Sequence, residues 1–396
     1  MKYDFDEIIE RRGTGSVKYD LAEKKGMPED ILPLWVADMD FRMPPCVTEA
    51  LIKRAQHGIF GYAEPGPAYF EAAAAWFRKR TGWEVRREWL VKMPGVVFAV
   101  ATILRALTKE GDSVLIQEPV YYPFAECIKT NGRKKVINPL VFDGQGYHID
   151  FQDFEEKIQK NNVTLFILCN PHNPVGRVYT EEELKRMGEI CLRHHVLVLS
   201  DEIHQDFTYP GHKHIPFAML RPEFESISIT CTAPTKTFNL AGLQISNIFV
   251  PDRELRHRVK DELWKTGFDE SNIMGLVACE AAYRGGEEWL GELLAYLRGN
   301  LDYLRAFLAE RLPEIRLIEP EGTYLVWLDF KNLGLSEEAL DEFLIQRAKL
   351  WLDAGTMFGE GGSGFQRINV ACPKETLKKA MEQLETAILS LKSGNK

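Results

Sequence analysis

Apolar and polar positions follow two different rhythms along this chain. Through its middle, short apolar runs alternate with helical patterns. GVVFAVATILRALT (95–108) reads as an apolar helix entered through Pro94-Gly95. SVLIQEP (113–119) reads as a strand closed by proline, and TLFILCN (164–170) as another strand. EEELKRMGEICLRHH (181–195) is amphipathic at helical spacing, with Thr180 placed to cap it. VLVLSDEI (196–203) and SISITCTA (226–233) are apolar almost without a break, the pattern of strands covered on both faces of a parallel sheet. Repeated strand–helix–strand units predict an open α/β sheet, in which functional residues collect just past the carboxyl ends of the strands.

From about residue 285 the rhythm changes. A long helical stretch (287–311) leads into IRLIEPEGTYLVWLDF, a strand pair. A helix near 336–349, a strand near 366–370 and a last helix to about 392 follow, which predicts a smaller α+β domain. The chain is expected to divide into a large domain over 48–285 and a small one over 286–396, with residues 1–47 packing on the small one. One stretch resists this scheme. LPLWVADMDF (32–41) sets Asp38 and Asp40 among apolar neighbours. Strict alternation would turn Trp35, Ala37, Met39 and Phe41 inward and both aspartates outward.

Composition narrows the function classes. At 396 residues, 45% hydrophobic and 27% charged, the chain can bury a large core. A formal charge of −9 argues against nucleic acid or an acidic membrane as the main partner. MKYDFDEIIERRG lacks the apolar core of a signal peptide and no apolar run reaches membrane-spanning length, so a cytoplasmic protein is expected. The seven cysteines are scattered without CxxC, and the histidines form no HExxH. Both absences argue against a disulfide framework or a metal site. GEGGSG (359–364) fits the dinucleotide pattern GxGxxG by letter, but it precedes a strand, FQRINV, instead of joining strand to helix. It reads as a mobile glycine loop near Arg367.

Candidate chemistry sits at three strand exits. After TLFILCN comes PHNPVG with Asn173, and after VLVLS comes DEIHQD with Asp201. After SISITCTA comes PTKTFNLAG, with Lys236 between Thr235 and Thr237. Each has an ordinary reading alone: a turn asparagine, a helix cap, a solvated lysine. On one rim together, an amide, a carboxylate and an amine match the needs of pyridoxal phosphate. A primary amine whose pKa falls on desolvation suits a Schiff base. A carboxylate keeps the pyridine nitrogen protonated, which makes the ring an electron sink. An amide suits the phenolic oxygen, and the N–H groups of Gly95, Val96 and Val97 at a helix N-terminus suit the phosphate.

Eight segments then acquire a common meaning: LPLWVADMDF, GYAEP, MPGVV, EPVYYPF, NPHNPVG, SDEIHQD, APTKTFNLAG and GFQRINVACP. In this order, over nearly the whole chain, they resemble the fold-type I pyridoxal-phosphate enzymes of the class I/II aminotransferase superfamily. More narrowly, they resemble its carbon–sulfur β-lyases of the cystathionine β-lyase (MalY/PatB/cystalysin) type. The resemblance implies a large domain with a mostly parallel sheet beside a smaller α+β domain. It implies that Lys236 carries the Schiff base and is the general base, that Asp201 pairs with the pyridine nitrogen and that Asn173 bonds the ring oxygen. Tyr121 would stack on the ring, while Val96, Val97 and Thr235 hold the phosphate. Arg367 would take the substrate α-carboxylate beside the backbone of Val36 and Ala37, with Tyr122 adjacent. Asp38 and Asp40 would fix the path of that segment by hydrogen bonds. Tyr62 would reach the phosphate region of a neighbouring subunit, which makes the protein a homodimer.

The implied reaction cleaves the Cβ–S bond of cystathionine, cysteine or related S-conjugates to a thiol, pyruvate and ammonia. An aminotransferase would use the same Lys236, Asp201 and Arg367, and a regulatory or binding protein on the same fold is a further alternative. Gln244 bears on the choice, because many aminotransferases place a phosphate-binding arginine eight residues after the lysine and the β-lyases are similar to this chain in lacking it.

Overall fold

The computed structural model describes residues 2–394. At its centre is a seven-stranded sheet. In chain order its strands are β1 (Leu90–Met93), β2 (Ser113–Ile116), β3 (Lys134–Ile137), β4 (Val163–Cys169), β5 (Leu197–Asp201), β6 (Ser228–Thr232) and β7 (Ser246–Phe249). Across the sheet they lie in the order β1-β7-β6-β5-β4-β2-β3. β7 runs antiparallel to both neighbours, and the remaining pairs are parallel.

The unbroken apolar runs have a direct cause. Side chains alternate across a strand, and here both faces are covered. Leu165, Ile167 and Cys169 of β4 enter a core shared with Ala99, Val100 and Ile103 of helix α1 (Val96–Leu107). Phe166 and Leu168 enter the opposite core, with Leu184 and Met187 of helix α2 (Glu181–Arg193). Thr180 caps α2 as its position predicts: its side chain accepts from the Glu183 N–H, and Glu183 reaches back to the Thr180 N–H. A single helical turn, α3 (Pro234–Thr237), follows β6.

Beyond the long helix α4 (Glu287–Arg311) lies a four-stranded antiparallel sheet. Its strands β8 (Arg316–Ile318), β9 (Leu325–Asp329), β10 (Asp353–Ala354) and β11 (Phe365–Asn369) lie in the order β8-β9-β11-β10, and helix α5 (Lys374–Gly394) closes the chain. The helix expected near 336–349 is α-helical over Glu337–Glu342 and continues as a π-turn through Arg347. Residues 5–41 make contacts here. Leu32–Pro33 pairs in parallel with Leu350–Trp351, Trp35 stacks on Trp351 at 4.4 Å, and Phe5, Leu34, Met39 and Phe41 join the core under α4 and α5.

Two expectations need correction. Strict alternation fails in residues 32–41: Met39 and Phe41 are buried, but so is Asp40, 5% exposed. Its carboxylate faces cations inside the protein, which outweighs the strand rhythm. The GEGGSG segment is not a loose loop. It winds as 3₁₀ turns in which a Cβ at Gly355 would overlap the Gly362 carbonyl, and the Val120 N–H donates to the Phe358 carbonyl at 2.9 Å. Gly359, at φ +120°, sits against the Glu118 carboxylate, where a side chain has no room.

Candidate active site

Strand register builds the site. Cys169 of β4 lies opposite Asp201 of β5, and Asp201 lies opposite Cys231 of β6, so the three strands end level. The segments that follow leave side by side. They border a cavity of about 440 Å³ lined by Ala37, Val96, Val97, Tyr121, Asn173, Asp201, Thr235 and Lys236, with Gln244 at its edge. Val36, Tyr122 and Arg367 do not line it, though Arg367 is hydrogen-bonded to Asn173, which does. Tyr62 is not among these residues; it is 95% exposed.

Asp201 sits on the cavity floor, 4% exposed. Among the described residues it receives one hydrogen bond, from the Ile203 N–H to Oδ1 at 3.1 Å. Burial pushes its carboxyl up to about 7, and the neighbouring Glu202 adds to the rise. Lys236, on α3, donates from Nζ to the Ala37 carbonyl at 2.7 Å. Burial and then the Arg367 charge push its amine down to about 8, against the pull of Asp38 and Asp201. Both groups are thus poised near neutrality, the condition for moving protons at physiological pH. Thr237, next to Lys236, donates to buried Asp206 at 2.8 Å and anchors the turn.

The start of α1 lines the same cavity. Its first helical hydrogen bond runs from the Ala99 N–H to the Gly95 carbonyl at 3.0 Å, so the N–H groups before Ala99 have no acceptor within the helix. Thr235 lines the same cavity, and Tyr121 borders it and packs edge-on to Phe124.

Residues 35–41 form a strap along this cavity, read by functional side chains carbonyl by carbonyl. The Trp35 carbonyl accepts from Arg367 Nη2 at 2.9 Å. Asn369, two residues further along β11, donates to the Val36 and Asp38 carbonyls at 2.7 and 2.6 Å. The Ala37 carbonyl accepts from Lys236 and from the Tyr324 hydroxyl. Asn239 holds the other end through the Met39 N–H and the Met39 and Phe41 carbonyls. Asp38 and Asp40 have no place in the cavity. Arg11 bridges both at 2.6 Å, and Asp40 also accepts from Lys18 Nζ at 2.7 Å and the Tyr19 hydroxyl at 3.2 Å.

Arg367 is 3% exposed and donates from Nη1 to Asn173 Oδ1 at 2.9 Å. Nη2 also pairs with Asp353, while Nε, buried, has no partner among the described residues. Phe358 covers one face of the guanidinium, 4.9 Å away. Several members of this assembly escaped the sequence reading. Asp353 occupies a two-residue strand that leaves no periodic signal, and Asn239 and Asn369 are recognisable only once the strap is known. His204 lines the cavity with an unpartnered Nδ1, and burial, with the charges of Lys236 and Arg367, holds it neutral.

The donor set fits pyridoxal phosphate. A carboxylate with free acceptor capacity, an amine near neutrality, an aromatic wall and open helix N–H groups surround one space, and the buried Arg367 Nε and His204 Nδ1 lack protein partners. Fold and site define one class: the chain belongs to the class I and II aminotransferase family, whose profile matches residues 29–384. Within it the chain is similar to carbon–sulfur lyases. Cystathionine β-lyase PatB of Bacillus subtilis is 45% identical, covering 97% of this chain and 100% of that protein. MalY of Escherichia coli is 32% identical over 98% and 100%. The crystal structure of cystalysin from Treponema denticola, which contains a pyridoxal 5'-phosphate cofactor, superposes with a TM-score of 0.96 at 36% identity, covering 99% of this chain and 100% of that one.

Proposed function

We propose that the protein binds pyridoxal phosphate and catalyses α,β-elimination from amino acids bearing sulfur on Cβ, giving a thiol, pyruvate and ammonia. The observation that carries this is the pairing of Lys236 and Asp201 across one cavity, each shifted by burial toward neutrality. The names and cofactor content of the relatives support it.

When bound, the cofactor supplies the electron sink that accepts the charge left at the substrate Cα. Lys236 would be its covalent anchor, and with an amine near 8 the released Nζ can take the Cα proton. Asp201 would face the pyridine nitrogen and keep its proton there. Asn173 would donate to the ring oxygen, and its Oδ1 is already held by Arg367, so one amide ties cofactor site to substrate site. The open N–H groups of Val96 and Val97 would take the phosphate with Thr235, Gln244 leaving this end without a guanidinium. Tyr121 would cover the ring, with Tyr122 beside it at 5.6 Å between ring centres. Arg367 would bind the substrate α-carboxylate. We read the active unit as a homodimer in the cytoplasm, with Tyr62 serving the partner's phosphate site.

Incubation with cystathionine and no keto-acid acceptor tests the reading. Sustained pyruvate release is expected, and Lys236→Ala should lower it about a thousandfold. A single turnover that needs a keto acid to restart would point to transamination instead.

A further inference from the structure

The guanidinium of Arg367 is already occupied by an acid. Asp353 lies directly across the strand pair from it in register, and both side chains are 3% exposed. Among the described residues the Asp353 side chain has no other hydrogen-bond partner. Counting donors shows what this means for a ligand. A carboxylate grips arginine through two parallel N–H groups, either Nε with Nη2 or Nη1 with Nη2. Both arrangements need Nη2, and Nη2 donates to the Trp35 carbonyl and to Asp353. The Trp35 carbonyl is fixed by the backbone of the strap. The Asp353 side chain can rotate or change protonation.

Resting on the reading that Arg367 receives the substrate α-carboxylate, we propose that Asp353 holds that position in the substrate-free protein and exchanges with the substrate, taking up one proton as it does so. The exchange balances simply. One ion pair breaks, another forms on the same guanidinium, and a solvent proton settles on the Asp353 carboxylate. Without that proton, two carboxylates would share one buried cation, which is costly in a low-dielectric site. Protonated Asp353 can remain in place and donate to the incoming carboxylate. Its carboxyl is raised by burial and held down only by Arg367, so removing Arg367 from it favours protonation. The other titratable groups facing it are the phenols of Tyr121 and Tyr122, both raised by burial, which keep their protons across the neutral range. The consequence is a selectivity device: an acid enters only if it outcompetes the resident one.

The test uses the cofactor-loaded protein and propionate, a carboxylate without an amine, as competitive inhibitor between pH 6 and 9. In the wild type, Ki should fall by up to about tenfold for each unit that pH is lowered. Calorimetry in buffers of different ionisation enthalpy should show close to one proton taken up per propionate. Asp353→Asn should bind propionate at least about tenfold tighter at pH 8 and lose this slope and this proton. Every other group of the cofactor-loaded site is common to both proteins, so the difference between them isolates Asp353. A wild-type Ki flat with pH and no proton uptake would overturn the proposal without any variant. So would weaker propionate binding in Asp353→Asn with its cofactor absorbance intact. Arg367→Ala separates the underlying reading: if it leaves propionate inhibition unchanged, Arg367 is not the carboxylate site and that reading fails first.

Discussion

At the scale of single residues, burial sets the chemistry. Lys236 and Asp201 are pushed in opposite directions, to about 8 and about 7, and each loses charge by doing so. In the cofactor-free protein, amine acylation of Lys236 followed by peptide mapping should show an inflection near pH 8, while exposed lysines titrate above about 10. An inflection at the ordinary lysine value would mean that the cavity is wet. Asp201 carries a stability cost. Its folded pKa lies above its unfolded value of 3.8, so the stability it contributes is present in acid and is lost as pH rises toward 7. Asp201→Asn should therefore stabilise the cofactor-free protein at pH 8 by about 1–3 kcal/mol in urea unfolding, while cofactor retention falls. Lys236, Asp201 and Asn173 were legible in the sequence because a parallel sheet delivers its strand exits to one rim. Asp353 was not, because an acid opposite an arginine becomes visible only when strand register is known.

Among elements, the strap explains the two aspartates that alternation misplaced. Residues 35–41 carry almost no regular hydrogen bonding of their own, so side chains from four other segments supply it. Lys18, fully buried, depends on Asp40 for its closest charge partner. Asp40→Ala should therefore cost about 3–5 kcal/mol, read as a lower urea midpoint, since it strands a buried ammonium. A change below about 1 kcal/mol would show that Asp38, 3.9 Å from Lys18 Nζ, and water replace the pair. The sheet strands and most helices were readable because their apolar spacing is dictated by burial on one face or two. The strap was not, because its path is set by partners hundreds of residues away: Asn369 reaches the Val36 carbonyl across a separation of 333.

For the whole molecule, the exposed Tyr62 poses the question of assembly. Tyr62 is 95% exposed, beside Phe60 at 56%, and in the proposed dimer it would reach the partner's site. Mixing Tyr62→Ala with Lys236→Ala subunits after dissociation tests this. If Tyr62 serves the partner, mixed dimers hold one intact site and activity should return to about a quarter of wild type. No recovery would assign Tyr62 to its own subunit or to none. The clamp of Arg367 and Asn369 on the strap has a further consequence, for biosynthesis. Lys236 and Asp201 leave the ribosome well before Arg367 and Asn369. A nascent polypeptide thus owns the floor of its vitamin pocket before it owns the buckle, and the strap is clamped only once β11 has been translated.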